Sequence, residues 1–187
     1  MLPAAVNAVS YPSGRDFIDY GIPFINAGNL KDGAIDLSNA DYISIDKYKS
    51  LGGAKIQKND ILFCLRGSLG KCALADFDNA APASSLCVIR PKEFVDSKFL
   101  FQIINSEITM IQIENLNAGS SQPNLSAKSL KGFTYKIPVS KDGQKAISTV
   151  ISEMDSDIHK LEEKLWKYQK VKQGMMEELL TGKVRLI

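Results

Sequence analysis

From Ile147 to Tyr168 the apolar residues recur at alternating intervals of four and three: Ile147, Ile151, Met154, Ile158, Leu161, Leu165 and Tyr168. A mean period of 3.5 is that of a coiled-coil seam, and among regular structures only a helix brings residues so spaced onto one side. The next seam position is Lys172, with Val171 beside it, and the seam resumes at Met175 and Leu179. Asp142 stands where it can cap the start, and Gly182 where a C′ glycine stops the helix. The pattern therefore predicts a helix over 142–181, roughly 60 Å long at 1.5 Å per residue, followed by a tail over 182–187. A rod of that length extends beyond a domain of about 140 residues, so part of its stripe needs another surface. It can lie across its own domain or against a second helix, and the regular seven-residue repeat favours the second helix.

Residues 1–138 have a different texture. Ile22–Ile25, Tyr42–Ile45, Asp60–Leu65, Ser85–Ile89 and Phe133–Ile137 are short, rich in β-branched and aromatic residues, and flanked by Gly, Asn, Asp or Pro, which predicts strands. Asp96 to Leu116 instead spaces Phe99, Leu100, Ile103, Ile104, Ile108, Ile111 and Ile113 near helical intervals, which predicts a helix packed on the sheet. The expected fold class is α+β: a domain of mixed or antiparallel pairing over 1–138, then a long C-terminal coiled-coil helix. With 44% apolar and 24% charged residues the composition is that of a globular chain. No apolar run approaches the roughly 20 residues that span a bilayer, so no membrane association is expected. The N-terminus has no basic residue before its apolar stretch and is a poor signal peptide. Cys64, Cys72 and Cys87 are an odd, sparse set that suits a reducing cytoplasm better than a disulfide framework.

Most catalytic chemistries lack their parts. Gly67-Ser68-Leu69-Gly70-Lys71 does not have Walker spacing and precedes no helix pattern. The single histidine, His159, falls within the long helix beside the seam, where no cleft supplies a nucleophile. The cysteines have no C-x-x-C spacing and no nearby histidine, so zinc is not expected. No resident metal or cofactor is implied.

Two stretches carry recognition chemistry instead. Asn59 to Lys71 runs as a strand into a glycine-loosened turn that presents Arg66, Ser68 and Lys71. The planar fork of Arg suits guanine edges or phosphate, and Lys and Ser suit phosphate. An ordinary hairpin with exposed charge reads the same way. Ala118 to Ser126 is too polar for a core. In it Gln122 and Asn124 can grip adenine edges, and Ser120 and Ser121 suit phosphate, although such residues also simply make turns by capping their own backbone. Asn124 or Ser126 is placed to cap a short helix. Asn26 and Asn29, after the first strand, join the same set. If the domain reads DNA, these loops share one face, with Arg66 and Gln122 at base edges and Lys71 and Ser68 at phosphates. Lys plus Arg number 23 and Asp plus Glu 21, a net charge of +2, so the contact must be a local patch rather than a global field.

Taken in order, these segments resemble the specificity (S) subunits of type I restriction-modification systems. Gly21 to Leu30, G-I-P-F-I-N-A-G-N-L, is similar to the family's G-I-P-F-[IL]-x-x-x-[ND]-[IL] opening. Asp60 to Lys71 is similar to D-I-L-F-S-x-x-G-S-[IL]-G-K, with Cys64 where a serine is common. Gly119 to Ser126 is similar to G-[ST]-x-Q-x-N-[IL]-S. Gln144-Lys145-Ala146-Ile147 opens the long helix, and Glu178 to Arg185 closes it, in the family's manner. Such a subunit carries two target-recognition domains and two long helices; this chain has one of each. The family's Trp-containing strand and L-G-[DE] step do not precede Gly21, which implies a first strand that is missing or replaced by Met1 to Tyr20.

The resemblance implies a non-catalytic chain that binds double-stranded DNA and pairs antiparallel through its helix, with a second copy or a different S-like chain. It also implies docking of methyltransferase (M) subunits, which hold S-adenosylmethionine, and through the complex a restriction (R) subunit, which uses ATP. The competing expectation is an assembly protein: a coiled-coil dimeriser whose β domain binds protein rather than DNA.

Overall fold

A computed structural model describes residues 11–117 and 125–185. They fall into two compact units, Met1–Lys145 and Ala146–Ile187. In the first unit, β1 (Phe17–Ile18), β2 (Ile22–Ile25), β5 (Asp41–Ile43) and β8 (Ala81–Pro82) form one sheet in the order β1-β5-β2-β8. Both β1 and β2 run antiparallel to β5, whereas β8 is parallel to β2. β3 (Leu30–Lys31) and β4 (Ala34–Ile35) make a hairpin across Asp32 and Gly33, both at positive φ. β6 (Ile61–Cys64) lies between β7 (Cys72–Leu74) and β9 (Leu86–Ile89) in an antiparallel sheet. The pairing class is thus mixed, as expected.

β6 is buried on both faces. Alternation sends Leu62 and Cys64 into a cluster with Ile25, Leu30 and Ala73. It sends Ile61 and Phe63 into a second cluster with Cys72, Ile104 and Ile113. The second cluster is closed by α2 (Ser97–Ile104), α3 (Glu107–Asn117) and α4 (Ala127–Leu130). This double burial is why the run Ile61-Leu62-Phe63-Cys64 shows no polar alternation.

Four expectations need correction. The strand over Tyr42–Ile45 stops at Ile43, because the Ser44 hydroxyl accepts from Lys47 N–H at 3.1 Å and caps α1 (Ile45–Ser50). The helix over Asp96 to Leu116 is two helices. At the break, Ser106 and Thr109 hydroxyls both donate to the Ile103 carbonyl, at 2.6 and 2.9 Å, and compete with the helical ladder. Phe133–Ile137 joins no sheet. The Gln112 side chain accepts from Thr134 N–H at 3.0 Å and donates to Thr134 C=O at 3.3 Å, supplying the bonds a strand neighbour would. The long helix α5 spans Lys141–Leu180 and begins on Ser140, whose carbonyl accepts from Gln144 N–H at 3.1 Å; Asp142 sits inside the first turn rather than capping it. At the other end Gly182 adopts φ 70°, as a C′ glycine does.

Of Met1 to Tyr20, residues 1–10 lie outside the described residues. The rest forms a 3-10 turn (Gly14–Asp16) and β1, an edge strand on β5. In the second unit the seam is open: Met154, Ile158, Leu161, Leu165, Tyr168 and Met175 are all more than half exposed. His159 is exposed and faces Glu163 at 3.6 Å. Among the described residues no helix is long and apolar enough to cross a membrane.

Candidate nucleic-acid interface

The β6–β7 turn is built to hold Arg66 still while leaving its side chain out. Cys64 N–H donates to Lys71 C=O at 2.8 Å, Gly70 N–H to Cys64 C=O at 3.2 Å and Lys71 N–H to Ser68 C=O at 3.1 Å. The buried Cys64 thiol donates to the Arg66 carbonyl at 2.9 Å. A serine there would make the same bond, so the one departure within this motif keeps the donor. Gly67 and Gly70 sit at φ 77° and 86°. At Gly70 a Cβ would also lie 2.9 Å from Met110 Sδ on α3, which would have to shift, and the positive φ itself disfavours any side chain there. Arg66, Ser68 and Lys71 are exposed, and Leu69 turns inward onto the second cluster.

The loop after β2 meets this turn. Lys71 Nζ donates to the Ala27 carbonyl at 3.4 Å. Asn26 caps the 3-10 turn Ala27–Asn29, its Oδ1 accepting from Gly28 N–H at 2.7 Å. Asn29 departs from the expected set. It is 4% exposed, with Oδ1 accepting from Asn26 N–H at 2.9 Å and Nδ2 donating to the Asp36 carbonyl at 3.2 Å. It therefore shapes the loop from inside and is not free to reach a base. Asp36 forms an ion pair with Lys31, and that ammonium, with Ser38, holds its carboxyl well below the usual carboxylate range.

Ser120, Ser121, Gln122 and Asn124 lie outside the described residues. Both flanks of their loop can be followed. α3 ends at Asn117 after packing Ile113 beneath Gly70. On the far side, Leu125 N–H donates to the Leu65 carbonyl at 3.1 Å, next to Arg66, and Ser126 Oγ caps α4 by accepting from Ser129 N–H at 2.9 Å. The structure thus brings together Arg66, Ser68, Lys71, Asn26 and the described end of the polar loop.

Three residues, Asp60, Arg90 and Gln144, have supporting roles that the sequence alone does not reveal. Asp60, 1% exposed, takes both oxygens' worth of bonds from Arg90, Nε at 2.8 Å and a terminal nitrogen at 2.7 Å, and this bonding raises the guanidinium's pKa. Gln144, 1% exposed, accepts from Asp96 N–H at 2.8 Å and donates to the Phe94 and Pro138 carbonyls, fixing the start of α2 to the start of α5. Each partner is dozens of residues away, except Pro138, and no local pattern marks the pairing.

The family model described as type I restriction modification DNA specificity domain matches residues 7–167. The MjaVIII type I restriction enzyme specificity subunit of Methanocaldococcus jannaschii is 24% identical over 188 residues, covering 97% of this chain and 44% of that one. Among solved structures, the HsdS subunit from Thermoanaerobacter tengcongensis matches with a TM-score of 0.64 and 17% identity, over 83% of this chain and 41% of that chain. A chain from a type I R-M system, studied for its complex assembly and conformational transition, matches with a TM-score of 0.66 and 14% identity, over 92% and 42%. The chain spans less than half the length of these relatives. The two structural matches share the fold of this chain. The ordered motifs, the fold and a family model covering most of the sequence agree that the chain belongs to the type I restriction modification DNA specificity domain family.

Proposed function

We propose that this chain selects the DNA sequence at which a type I restriction-modification complex acts, and catalyses nothing itself. Arg66 and Gln122 meet base edges; Lys71, Ser68, Ser120 and Ser121 meet phosphates; Asn26 and Asn124 complete the face. Two such chains, identical copies or this one and a second S-like chain, pair antiparallel through Ile147, Ile151, Met154, Ile158, Leu161, Leu165, Tyr168, Met175 and Leu179. The pair then presents two recognition units to a bipartite site. M subunits holding S-adenosylmethionine dock on the pair, and an R subunit using ATP joins through them, all in the cytoplasm.

The observation that carries the reading is the β6–β7 turn: exposed cations on a backbone fixed by four hydrogen bonds, beside the anchored end of a polar loop. Rigid placement of a few donors is what base readout needs, whereas affinity alone needs only charge. The test is to co-express the chain with its neighbouring methyltransferase and sequence the methylated sites of the host DNA. A bipartite methylated motif that disappears on deletion of the chain is expected. Methylation unaltered by the deletion would leave an assembly role and remove this one.

A further inference from the structure

Beside Arg66 the first unit contains a cavity of about 320 Å³. Its walls come from six separate stretches of chain, among them those of Lys55, Arg66, Ser84 and Ser126. Three of them are tied together at one residue. Leu65 N–H donates to the Ser85 carbonyl at 2.8 Å, and the Leu65 carbonyl accepts from Leu125 N–H at 3.1 Å. The turn between β8 and β9 and the end of the polar loop are thereby fixed on either side of the residue that leads into Arg66.

The charge of the lining has one sign. Among the described residues Lys55 and Arg66 are its charged residues, and no carboxylate lines it. Lys55 is a fixed cation: its ammonium bonds the Tyr48 carbonyl and lies 3.8 Å from the Tyr48 ring centroid, and its own carbonyl accepts from Arg90 at 2.9 Å. The nearby Asp60 does not cancel this charge, because Arg90 occupies both of its oxygens. The remaining walls are largely apolar, including Leu65, Leu86 and Val88.

We propose that this cavity seats one sugar-phosphate of the DNA backbone, with the phosphate at the Lys55 side, the deoxyribose against the apolar wall and the Arg66 guanidinium left at the rim for a base edge. A deoxyribose is mostly C–H surface carrying one anionic neighbour, which matches a cationic, otherwise apolar hollow. An extrahelical base fits less well. Tyr11 and Phe24, which also line the cavity, meet at 80° with centroids 5.8 Å apart and form no slot between parallel faces. The site adds Lys55, Ser84 and Ser126 to the contact surface. Because it reads backbone, its contribution is the same for every sequence. The assignment rests on the recognition reading above and specifies where the duplex backbone lies on that face.

The experiment uses the full chain and a short random-sequence duplex, titrated by fluorescence anisotropy at several salt concentrations. Ser84→Glu places a carboxylate at an exposed turn and is expected to weaken binding about tenfold, the size of one charge-assisted contact. Lys55→Met keeps the stem and is expected to lower the slope of log affinity against log salt by about 0.9. Cys87 lines the cavity as a half-buried thiol and reports on it directly: duplex should slow its alkylation at alkaline pH several-fold. If wild type binds duplex while both variants match it and Cys87 is not protected, the cavity assignment is overturned and the recognition reading stands. Protection of Cys87 by inorganic phosphate but not by duplex makes it an anion site unconnected with DNA, and also overturns it. If wild type binds no duplex at all, the recognition reading falls and takes the cavity with it.

Discussion

Lys71 and Gln122 separate the two components of a DNA contact. An ammonium that meets phosphate contributes alike on every sequence, so Lys71→Ala should weaken target and scrambled duplex equally and lower the salt slope by about one. A carboxamide that meets a base edge discriminates, so Gln122→Ala should cost roughly 1–3 kcal/mol on the target alone. Binding isotherms on both duplexes at two salt concentrations, with the M subunit present, check this; equal losses on both duplexes for Gln122→Ala would remove it from the base edge. Cys64 acts one step further back, through its bond to the Arg66 carbonyl. Cys64→Ser keeps a donor and should leave the turn intact. Cys64→Ala removes it, at about 0.5–1.5 kcal/mol, and should speed amide exchange at Gly70 and Lys71 while the serine variant does not. Cys72 adds a pH signature. Burial pushes its thiol from 9.0 up to about 12. Between those values the unfolded chain has lost this proton and the folded chain keeps it, so stability falls as pH rises from about 9. Urea midpoints measured across that window should decline, and less steeply in Cys72→Ala.

At the scale of elements, α5 was the most legible part, because a period of 3.5 held over three heptads has no strand alternative. Its exposed seam carries a direct prediction. Ile158→Asp with Leu161→Asp puts charge into the seam that the proposed pairing would bury, at a cost of several kcal/mol per pair of chains, so sedimentation should show a monomer. A double variant that remains a dimer would refute the coiled-coil pairing. β2, β6 and β9 were also legible as apolar runs between turn residues. What escaped depended on single side chains competing with the backbone. Ser106 and Thr109 take the Ile103 carbonyl and split one predicted helix into α2 and α3. Gln112 pairs with Thr134 and removes the need for a strand where Phe133, Tyr135 and Ile137 alternate like one. The β6–β7 turn was readable from its glycines. Asn29 was misread because an asparagine that caps from inside and one that points outward have the same local sequence; the Asp36 carbonyl, seven residues on, decides between them. The cavity was invisible for a related reason, since the stretches of residues 66, 84 and 126 are joined through Leu65 and residue 55 meets them only in the fold.

For the molecule as a whole, a net charge of +2 makes electrostatic affinity a matter of which cations are uncommitted. In the first unit Lys31, Lys47 and Arg90 are paired with Asp36, Asp16 and Asp60. Lys55, Arg66 and Lys71 are the cations assigned here to the DNA face. With each phosphate contact contributing about 0.9, the two at Lys55 and Lys71 give one unit a log–log salt slope of roughly 1.8. One unit alone should therefore bind random duplex weakly. The proposed pairing through the seam would change this without any new contact, because the second unit would meet the same duplex at a high effective concentration. The wild-type pair should then show a slope near twice that of the Ile158→Asp, Leu161→Asp monomer, and a much tighter affinity at low salt that converges with the monomer's as salt rises. Anisotropy titrations of both proteins over the same salt series measure this. If the two slopes coincide, the paired chains do not place two recognition units on one duplex, and the bipartite reading fails even where single-unit binding survives.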